Sequence, residues 1–337
     1  MSDDAVLVVG PSWVGDMVMI EPLLASLKAR QPVPAVDVLA PAWSAPLLSR
    51  MAQVRRAIDL PIGHGQWAVG KRLAMGRALR GQYQQAIVLP GSWKSALLPF
   101  FAGIPQRTGF VRELRYGLLN DARRLDKRAL PMTVQRFAAL GLGAGAPLPG
   151  TLQPRLNADP VVVARTLASL GLSTGSAPVL LLCPGAEFGP AKRWPAVHFA
   201  ALARHYRQRG WQVWLVGSAR DASITAQVKA AAGDGCIDLA GRTDLGEVCD
   251  VIAAADLVVS NDSGLMHVAA ALGRPLVAVY GSSDPGFTPP LSARARVVSL
   301  ALSCSPCFKR ECPLGHLRCL NDLDPERVLA AAAELDA

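Results

Sequence analysis

Short apolar runs and amphipathic stretches alternate along most of this chain. Runs typical of buried strands occur at 5–9, 36–39, 86–89, 179–182, 212–216, 257–260 and 275–280. Stretches with apolar residues at helical spacing lie at 17–30, 156–170, 196–208, 223–232 and 264–272. This alternation predicts βαβ units and parallel sheets, whose strands are buried on both faces by the connecting helices.

Two clusters of glycine and proline interrupt the middle of the chain, at 141–154 and at 171–178. A length of 337 residues suits two domains better than one. The sequence predicts two doubly wound α/β domains, residues 1–172 and residues 173–337. Ligands of such sheets bind at the carboxyl ends of the strands, so the loops there are the candidates for a functional site.

Composition narrows the class of protein. The chain is 51% hydrophobic and 18% charged, which describes a globular protein and excludes a disordered or collagen-like one. Its apolar runs fall far short of the ~20 residues that a membrane-spanning helix needs. Asp3 and Asp4 stand where a secretory signal would be positive, and the seven cysteines are an odd number. We therefore expect a cytoplasmic protein.

The positive charge is confined to the first half. Residues 1–170 hold 20 Lys and Arg against 10 Asp and Glu, whereas residues 171–337 hold 15 against 16. Such asymmetry indicates that one domain meets an anionic partner. Nucleic acid, a phosphorylated metabolite and an anionic membrane surface all fit this observation.

A glycine-bounded loop, Gly10 to Asp16, follows the first predicted strand. It lacks the glycine pattern of a dinucleotide site, and it has Asp16 where a P-loop has its lysine. The loop instead places a carboxylate at the start of a helix. Asp16 is either a first-turn acid that stabilises the helix dipole or a general base at the end of the first sheet.

Two further segments lie between a strand and a helix in the second half. Ser260 to His267 combines a helix start with Ser263 and Gly264, an arrangement in which free amide groups bind phosphate; ordinary helix capping explains the same residues. Pro184 to Pro195 places Lys192 in a glycine- and proline-rich loop, either as a point charge for a diphosphate or as a solvated charge.

Residues 107–128 hold seven basic and three acidic residues, just after the apolar stretch 97–101. This is either the solvated face of a helix or a cationic site for an anionic acceptor with membrane contact nearby. Aromatic residues do not alternate with these arginines, which makes single-stranded nucleic acid a poor fit.

Four cysteines cluster near the end of the chain: Cys304, Cys307, Cys312 and Cys319. They could form a structural zinc site, although their spacing is not that of paired zinc knuckles. Reduced thiols and a redox-labile pair are the alternatives. We expect Cys183, Cys236 and Cys249 to be small core residues.

The chain resembles the ADP-heptose–lipopolysaccharide heptosyltransferases, and within that family the type II branch. Four segments in the same order carry the resemblance: 10–18, 184–186 with 192–195, 261–272, and 281 with 287–290. The resemblance implies a GT-B fold, in which two Rossmann-like domains face each other across a cleft. The first would bind the acceptor and the second ADP-heptose.

The resemblance also implies a mechanism without metal or cofactor, with ADP-heptose as a substrate. Asp16 would deprotonate the acceptor hydroxyl, and Lys192 would stabilise the leaving diphosphate. The implied donor-binding residues are Ser218, Asp262, Ser263, Gly264 and His267. The implied acceptor-binding residues are Ser12, Trp13, Arg107, Arg112 and Arg115.

Partners and alternatives follow from the same resemblance. The expected partners are ADP-heptose, the lipopolysaccharide inner core and the anionic inner face of the inner membrane, where the protein would be peripheral; nucleic acid is not expected. The type I and type III reactions, with the same donor and another acceptor, are alternatives. A non-catalytic nucleotide-binding protein at the membrane surface is the alternative from another class.

Overall fold

The computed structural model describes residues 4–63, 65–175 and 177–336. The chain divides into two compact units, Met1–Pro154 and Arg155–Ala337. The first unit contains β1 (Val6–Val9), α1 (Val14–Val18), α2 (Glu21–Lys28), β2 (Val36–Ala40), α3 (Ala45–Leu48), β3 (Arg56–Asp59), α4 (Val69–Ala78), β4 (Gln85–Val88), α5 (Leu97–Phe101), β5 (Gln106–Phe110), β6 (Asp121–Arg123) and α6 (Thr133–Gly141).

The second unit repeats the alternation of strand and helix. It contains α7 (Pro160–Ser169), β7 (Val179–Cys183), α8 (Ala196–Gln208), β8 (Gln212–Leu215), α9 (Ala222–Ala232), β9 (Cys236–Asp238), α10 (Leu245–Ala253), β10 (Leu257–Asn261), α11 (Gly264–Ala271), β11 (Leu276–Val279), β12 (Ala295–Val298), α12 (Arg318–Asn321) and α13 (Pro325–Asp336).

Each unit is built on a six-stranded parallel sheet within the described residues. The strand orders are β3-β2-β1-β4-β5-β6 and β12-β11-β10-β7-β8-β9. Counted from its own first strand, each sheet has the Rossmann order 3-2-1-4-5-6. The prediction of two Rossmann-like doubly wound domains is confirmed. The order reverses between β1 and β4 in the first sheet and between β7 and β10 in the second, and ligands of such folds bind at those crevices.

The central strands are apolar because helices cover both of their faces. Every residue of Val6–Val9 and of Val179–Cys183 is buried. In the second unit, Trp194 and Phe199 pack edge to face over this sheet, with ring centroids 5.0 Å apart. The predicted core cysteines Cys183, Cys236 and Cys249 are all buried.

Two sequence predictions about helices need correction. The stretch 17–30 forms two helices, α1 and α2, because Pro22 has no amide hydrogen to continue the ladder across their junction. The predicted helix 156–170 begins only at Pro160, where the side chain of Asp159 caps it by accepting from the amide of Val161 at 2.8 Å.

The boundary between the units lies earlier than residue 172. Helix α7 belongs to the second unit, since it packs against α10 and Thr166 donates to the Asp250 carboxylate at 2.8 Å. The first of the two glycine- and proline-rich clusters therefore contains the boundary. Among the described residues, no helix is both long and apolar enough to cross a membrane.

Candidate active site

The loop after β1 places Asp16 at the start of a short helix. Trp13 is the N-cap of α1, and Asp16 is the third helical residue, half-buried in the first turn. A Cβ on Gly10 would lie 3.1 Å from Cε of Met17, so glycine lets this loop lie tightly against the sheet. Ser12 and Trp13 are exposed at the same loop, where a ligand of the first sheet can contact them.

The loop after β4 forms the other side of this crevice. A cavity of about 470 Å³ lies there, lined by Gly91, Ser92, Arg112 and Glu113. Arg112 is exposed and makes no hydrogen bond to another described residue. Its guanidinium can therefore bind an anionic group.

Arg115 is in a different position from Arg112. It is 1% exposed, and its guanidinium donates to the carbonyls of Pro90 at 2.6 Å and Phe110 at 2.7 Å and to Ser95 Oγ at 3.1 Å. Burial, and secondarily the charge of Arg112, lowers its pKa to about 10, so it stays charged at neutral pH. Its contacts hold the loops around the cavity together.

Arg107 also faces its own main chain. It donates to the carbonyls of Leu118 at 2.7 Å and Ile104 at 2.6 Å, and its guanidinium lies 5.6 Å from the ring centroid of Phe100. The segment 107–128 is not a helix, since it contains β5, β6 and the loop between them. The helix-face interpretation is therefore wrong. Of the predicted arginines, the structure brings Arg112 to the cavity and leaves Arg107 and Arg115 bonded to the backbone.

The loops of the second unit bring Lys192 and Asp262 together. Lys192 Nζ donates to Asp262 Oδ2 at 2.5 Å, and the hydroxyl of Ser283 donates to the same oxygen. The Asp262 side chain is 5% exposed and the Lys192 side chain 18%. These residues follow β7, β10 and β11, whose carboxyl ends meet at one edge of the sheet. The predicted donor site thus contains an ion pair that joins two of its loops.

Asn261 fixes the crevice between β7 and β10. Its Nδ2 donates to the carbonyl of Pro184 at 2.7 Å, and its Oδ1 accepts from the amide of Trp194 at 3.0 Å. Both bonds are buried, so the amide side chain determines the spacing of the two loops. This role of Asn261 was not predicted from the sequence, although the residue lies within the segment 261–272.

The N-terminus of α11 opens into this crevice. Ser263 is the N-cap and Gly264 the first helical residue, and no side chain caps the helix. The amides of the first turn and the positive end of the helix dipole are therefore available to an anion.

His267 lies one turn into α11 and is 6% exposed. Burial, opposed by Asp262 and assisted by Lys192, lowers its pKa to about 4. His267 is therefore a neutral imidazole at pH 7 and can act as a hydrogen-bond donor but not as a cation.

Ser218 follows β8 and is held by Asp221. The carboxylate of Asp221 accepts from the amide of Ser218 at 2.9 Å and from its hydroxyl at 2.8 Å. A Cβ on Gly185 would lie 2.4 Å from Cγ of Asp221, so only glycine fits beside this carboxylate. Asp221, which sequence reasoning did not select, thus organises the predicted donor residue Ser218.

The cysteine-rich segment, residues 304–319, contacts the loops that follow β7 and β11. The carbonyl of Arg310 accepts from the amide of Ala191 at 3.0 Å, and the amide of Phe308 donates to the carbonyl of Ser282 at 2.7 Å. Cys304, Cys307, Cys312 and Cys319 are free thiols. Within the described ranges, no three His, Cys, Asp or Glu side chains are grouped to hold a metal ion.

Comparison with known proteins places these features in one family. The family model of glycosyltransferase family 9 (heptosyltransferase) matches residues 72–318. The chain is 49% identical to lipopolysaccharide heptosyltransferase 2 of Escherichia coli strain K12, over 96% of each chain. It is 44% identical to lipooligosaccharide heptosyltransferase 2 of Haemophilus influenzae, over 98% of this chain and 99% of that one.

A solved structure agrees with these relatives. The structure of the E. coli ADP-heptose lipopolysaccharide heptosyltransferase II superposes with a TM-score of 0.89 and is 46% identical, over 99% of this chain and all of that one.

Proposed function

Since this chain belongs to glycosyltransferase family 9, the heptosyltransferases, we propose that it transfers a heptose from ADP-L-glycero-D-manno-heptose to the first heptose of the lipopolysaccharide inner core. This is the type II reaction. The observation that carries the proposal is the uncapped N-terminus of α11 beside the Lys192–Asp262 pair, at the point where the order of the second sheet reverses. That place is suited to the diphosphate of a sugar nucleotide.

The donor half of the reaction uses residues of the second unit. The amides of Ser263 and Gly264, with Lys192, stabilise the negative charge that develops on the diphosphate as it leaves. His267 contributes a neutral hydrogen-bond donor. Asp262 shares one oxygen between Lys192 and Ser283, which leaves Oδ1 to bind the hydroxyls of the heptose. Ser218, held by Asp221, contacts the nucleoside.

The acceptor half uses the first unit. Asp16 accepts the proton of the acceptor hydroxyl as its oxygen bonds to the anomeric carbon, while the bond from that carbon to the diphosphate breaks and its electron pair stays on the departing oxygen. A single displacement inverts the anomeric centre. Ser12 and Trp13 contact the acceptor, and Arg112 binds an anionic group of the core in the cavity beside Gly91. Arg107 and Arg115 position these loops.

No metal ion or cofactor takes part in the proposed reaction, and ADP-heptose is a substrate. The positive charge that faces the diphosphate comes from Lys192 and the helix end. The acceptor is a lipid, and the first unit carries the positive excess of the chain, 18 Lys and Arg against 9 Asp and Glu in residues 1–154. We therefore place the protein in the cytoplasm, peripheral on the anionic inner face of the inner membrane.

The experiment that tests the function offers the purified chain ADP-heptose with core acceptors that carry no heptose or one heptose. Transfer to the acceptor with one heptose supports the type II reaction. Transfer only to the heptose-free acceptor would assign the type I reaction, and transfer only to a longer core the type III reaction. Binding of ADP without transfer to any acceptor would assign a non-catalytic role.

A further inference from the structure

Four large apolar side chains of the first unit, on three segments that other residues connect, are exposed to solvent. We call them the apolar ridge: Trp67 at 62% exposure, Phe100 at 44%, Leu114 at 81% and Tyr116 at 59%. The predicted apolar stretch 97–101 contributes only Phe100 strongly to this surface, since Leu97, Leu98 and Pro99 are buried in the core. Most of the ridge therefore comes from residues that the sequence did not single out.

Contacts through intervening residues connect the segments that carry the ridge. The rings of Trp67 and Trp93 lie 6.0 Å apart, and the amide of Trp93 donates to the carboxylate of Glu113, next to Leu114, at 2.7 Å. On the other side, Arg107 lies over the Phe100 ring and donates to the carbonyl of Leu118, close to Tyr116. Trp93 thus links Trp67 to the loop of Leu114, and Arg107 links Phe100 to the loop of Tyr116.

The loop that carries Leu114 is held in an unfavourable conformation. Glu113 and Leu114 have φ angles of 49° and 50°, in the left-handed region, which costs a non-glycine residue about 1 kcal/mol or more. The buried guanidinium of Arg115 compensates by tying this loop to Pro90 and Phe110. Arg115 is buried, and its two neighbours Leu114 and Tyr116 are exposed on the loop that Arg115 anchors.

The charges around the ridge are positive. Arg112 is exposed beside Leu114, Arg107 covers one face of Phe100, and Arg80 donates to the carbonyl of Phe101 at 3.4 Å. The acidic residue Glu113 lies next to Arg112 in the sequence, and its carboxylate accepts a hydrogen bond from the amide of Trp93. Aromatic and aliphatic side chains interspersed with cations fit the interface of an anionic bilayer, where rings lie at headgroup depth and each cation adds about 1 kcal/mol.

We propose that the apolar ridge is the element by which this protein binds an anionic lipid bilayer. Leu114 and Tyr116 enter the headgroup region, and the positive charges of Arg80 and Arg107 beside Phe100 and Phe101 attract the lipid phosphates. Trp67 lies in the loop before α4, Phe100 lies in α5, and Leu114 and Tyr116 lie in the loop after β5. Single protruding side chains of this kind differ from the flat, closely packed patch of a protein interface. The inference rests on the proposed function for its choice of partner, since the acceptor of that reaction is a lipid.

The test is cosedimentation of the full chain with vesicles of phosphatidylcholine alone, or with about a third of phosphatidylglycerol. We expect binding to the anionic vesicles and weaker binding to the neutral ones. The double variant Leu114→Asn with Tyr116→Ser should lower the partition coefficient about tenfold or more, because two apolar side chains no longer enter the interface. Asparagine tolerates the left-handed conformation, so the fold should persist.

A matched control removes apolar surface elsewhere. Val161→Ser with Val197→Ser changes side chains of the second unit that are 67% and 60% exposed, and it should bind anionic vesicles as the unchanged chain does. The inference would be overturned if both double variants lost vesicle binding equally. It would also be overturned if the ridge variant, Leu114→Asn with Tyr116→Ser, bound vesicles as well as the unchanged chain. Tyr116→Ser alone, expected to weaken binding severalfold, serves if the double variant does not fold.

Two further measurements separate this inference from the proposed function. Transfer to a deacylated, water-soluble acceptor needs no bilayer, and the ridge variant should retain it. Transfer without vesicle binding would refute the ridge alone, whereas vesicle binding without transfer would refute the proposed function alone. Sedimentation that shows the unchanged chain as a dimer and the ridge variant as a monomer, without vesicle binding, would assign the ridge to a second copy and overturn the inference.

Discussion

The ammonium of Lys192 lies 2.5 Å from Oδ2 of Asp262, although 70 positions separate the two residues in the sequence. The pair joins the loop after β7 to the loop after β10, and it supplies a cation beside the N-terminus of α11. Both side chains are largely removed from water, so neither charge can be deleted without leaving the other poorly compensated.

We expect Lys192→Met to lower kcat/KM for transfer by about 100- to 1,000-fold, because the leaving diphosphate loses its charge partner. Affinity for ADP should fall as well, which calorimetry measures. The control is Lys229→Met, which removes an exposed lysine of α9 in the same unit. Transfer by Lys192→Met at the rate of this control would refute the role of Lys192.

Asp16→Asn should strongly lower the rate of transfer while ADP still binds. The amide keeps the shape of the side chain but accepts no proton, so kcat should fall by about 100-fold or more. The change also removes a first-turn acid from α1, which costs about 0.5 kcal/mol of stability. Asp59→Asn, at an exposed position of β3, is the control for loss of one negative charge. Unchanged turnover in Asp16→Asn would contradict its assignment as the base.

Stability should fall as the solution is acidified, through His267. Its pKa is about 4 in the folded protein and 6.5 as an ordinary imidazole, so the unfolded chain binds more protons between these values. The contribution of neutral His267 to the free energy of unfolding is complete above pH 6.5, and it is lost as the pH falls towards 4. From pH 7 to pH 5 the loss is about 2 kcal/mol. Urea unfolding at both pH values measures it, and His267→Gln should reduce the difference by that amount.

The neighbouring arginines Arg112 and Arg115 should respond in opposite ways. Arg115→Lys keeps the charge but cannot reach Pro90, Ser95 and Phe110 together, so the free energy of unfolding should fall by about 2 kcal/mol. Arg112→Ala should leave the melting temperature unchanged and raise KM for the acceptor about tenfold, since it removes one charge-assisted contact. Thermal melts and acceptor titrations distinguish the two; equal loss of stability would contradict the separate roles.

Chelation should not stop the reaction. Because Lys192 and the end of α11 supply the positive charge in the proposed reaction, we expect the rate in EDTA to stay within about twofold of the untreated rate. Activity that EDTA abolishes and Mg²⁺ restores would contradict the proposed mechanism.

The central elements were predictable because their patterns are strong. The amphipathic stretch 196–208 is the observed helix α8, and the apolar runs 179–182 and 257–260 differ from β7 and β10 by one residue. The strand β3 was missed, because Arg56–Asp59 lies at the edge of its sheet, is largely exposed and has no apolar run. The local pattern of apolar residues identifies strands that are buried on both faces, but it identifies half-exposed edge strands poorly.

The site was predictable as a set of loops but not as a set of contacts. Strand-end motifs identified Asp16, Lys192 and Asp262, since chain order alone shows which loops follow strands. The pairing of Lys192 with Asp262 depends on which strands are neighbours, which no local pattern reveals. Arg112 and Arg115 are the same residue type, three positions apart. Only the packing of Pro90 and Phe110 around Arg115 distinguishes its supporting role from the binding role proposed for Arg112.

The identical strand order of the two sheets has a consequence for how such a protein can change its specificity. The loop of Asp16 and the loop of Lys192 each follow the first strand of their sheet, and the loops of Gly91 and Asp262 each follow the fourth. In the proposed reaction, each half therefore recognises its own substrate with loops in equivalent places on its own sheet. If the proposed roles hold, changing the loops after β1 and β4 would direct the sugar to a different acceptor, and the donor-binding loops of the second sheet would stay intact.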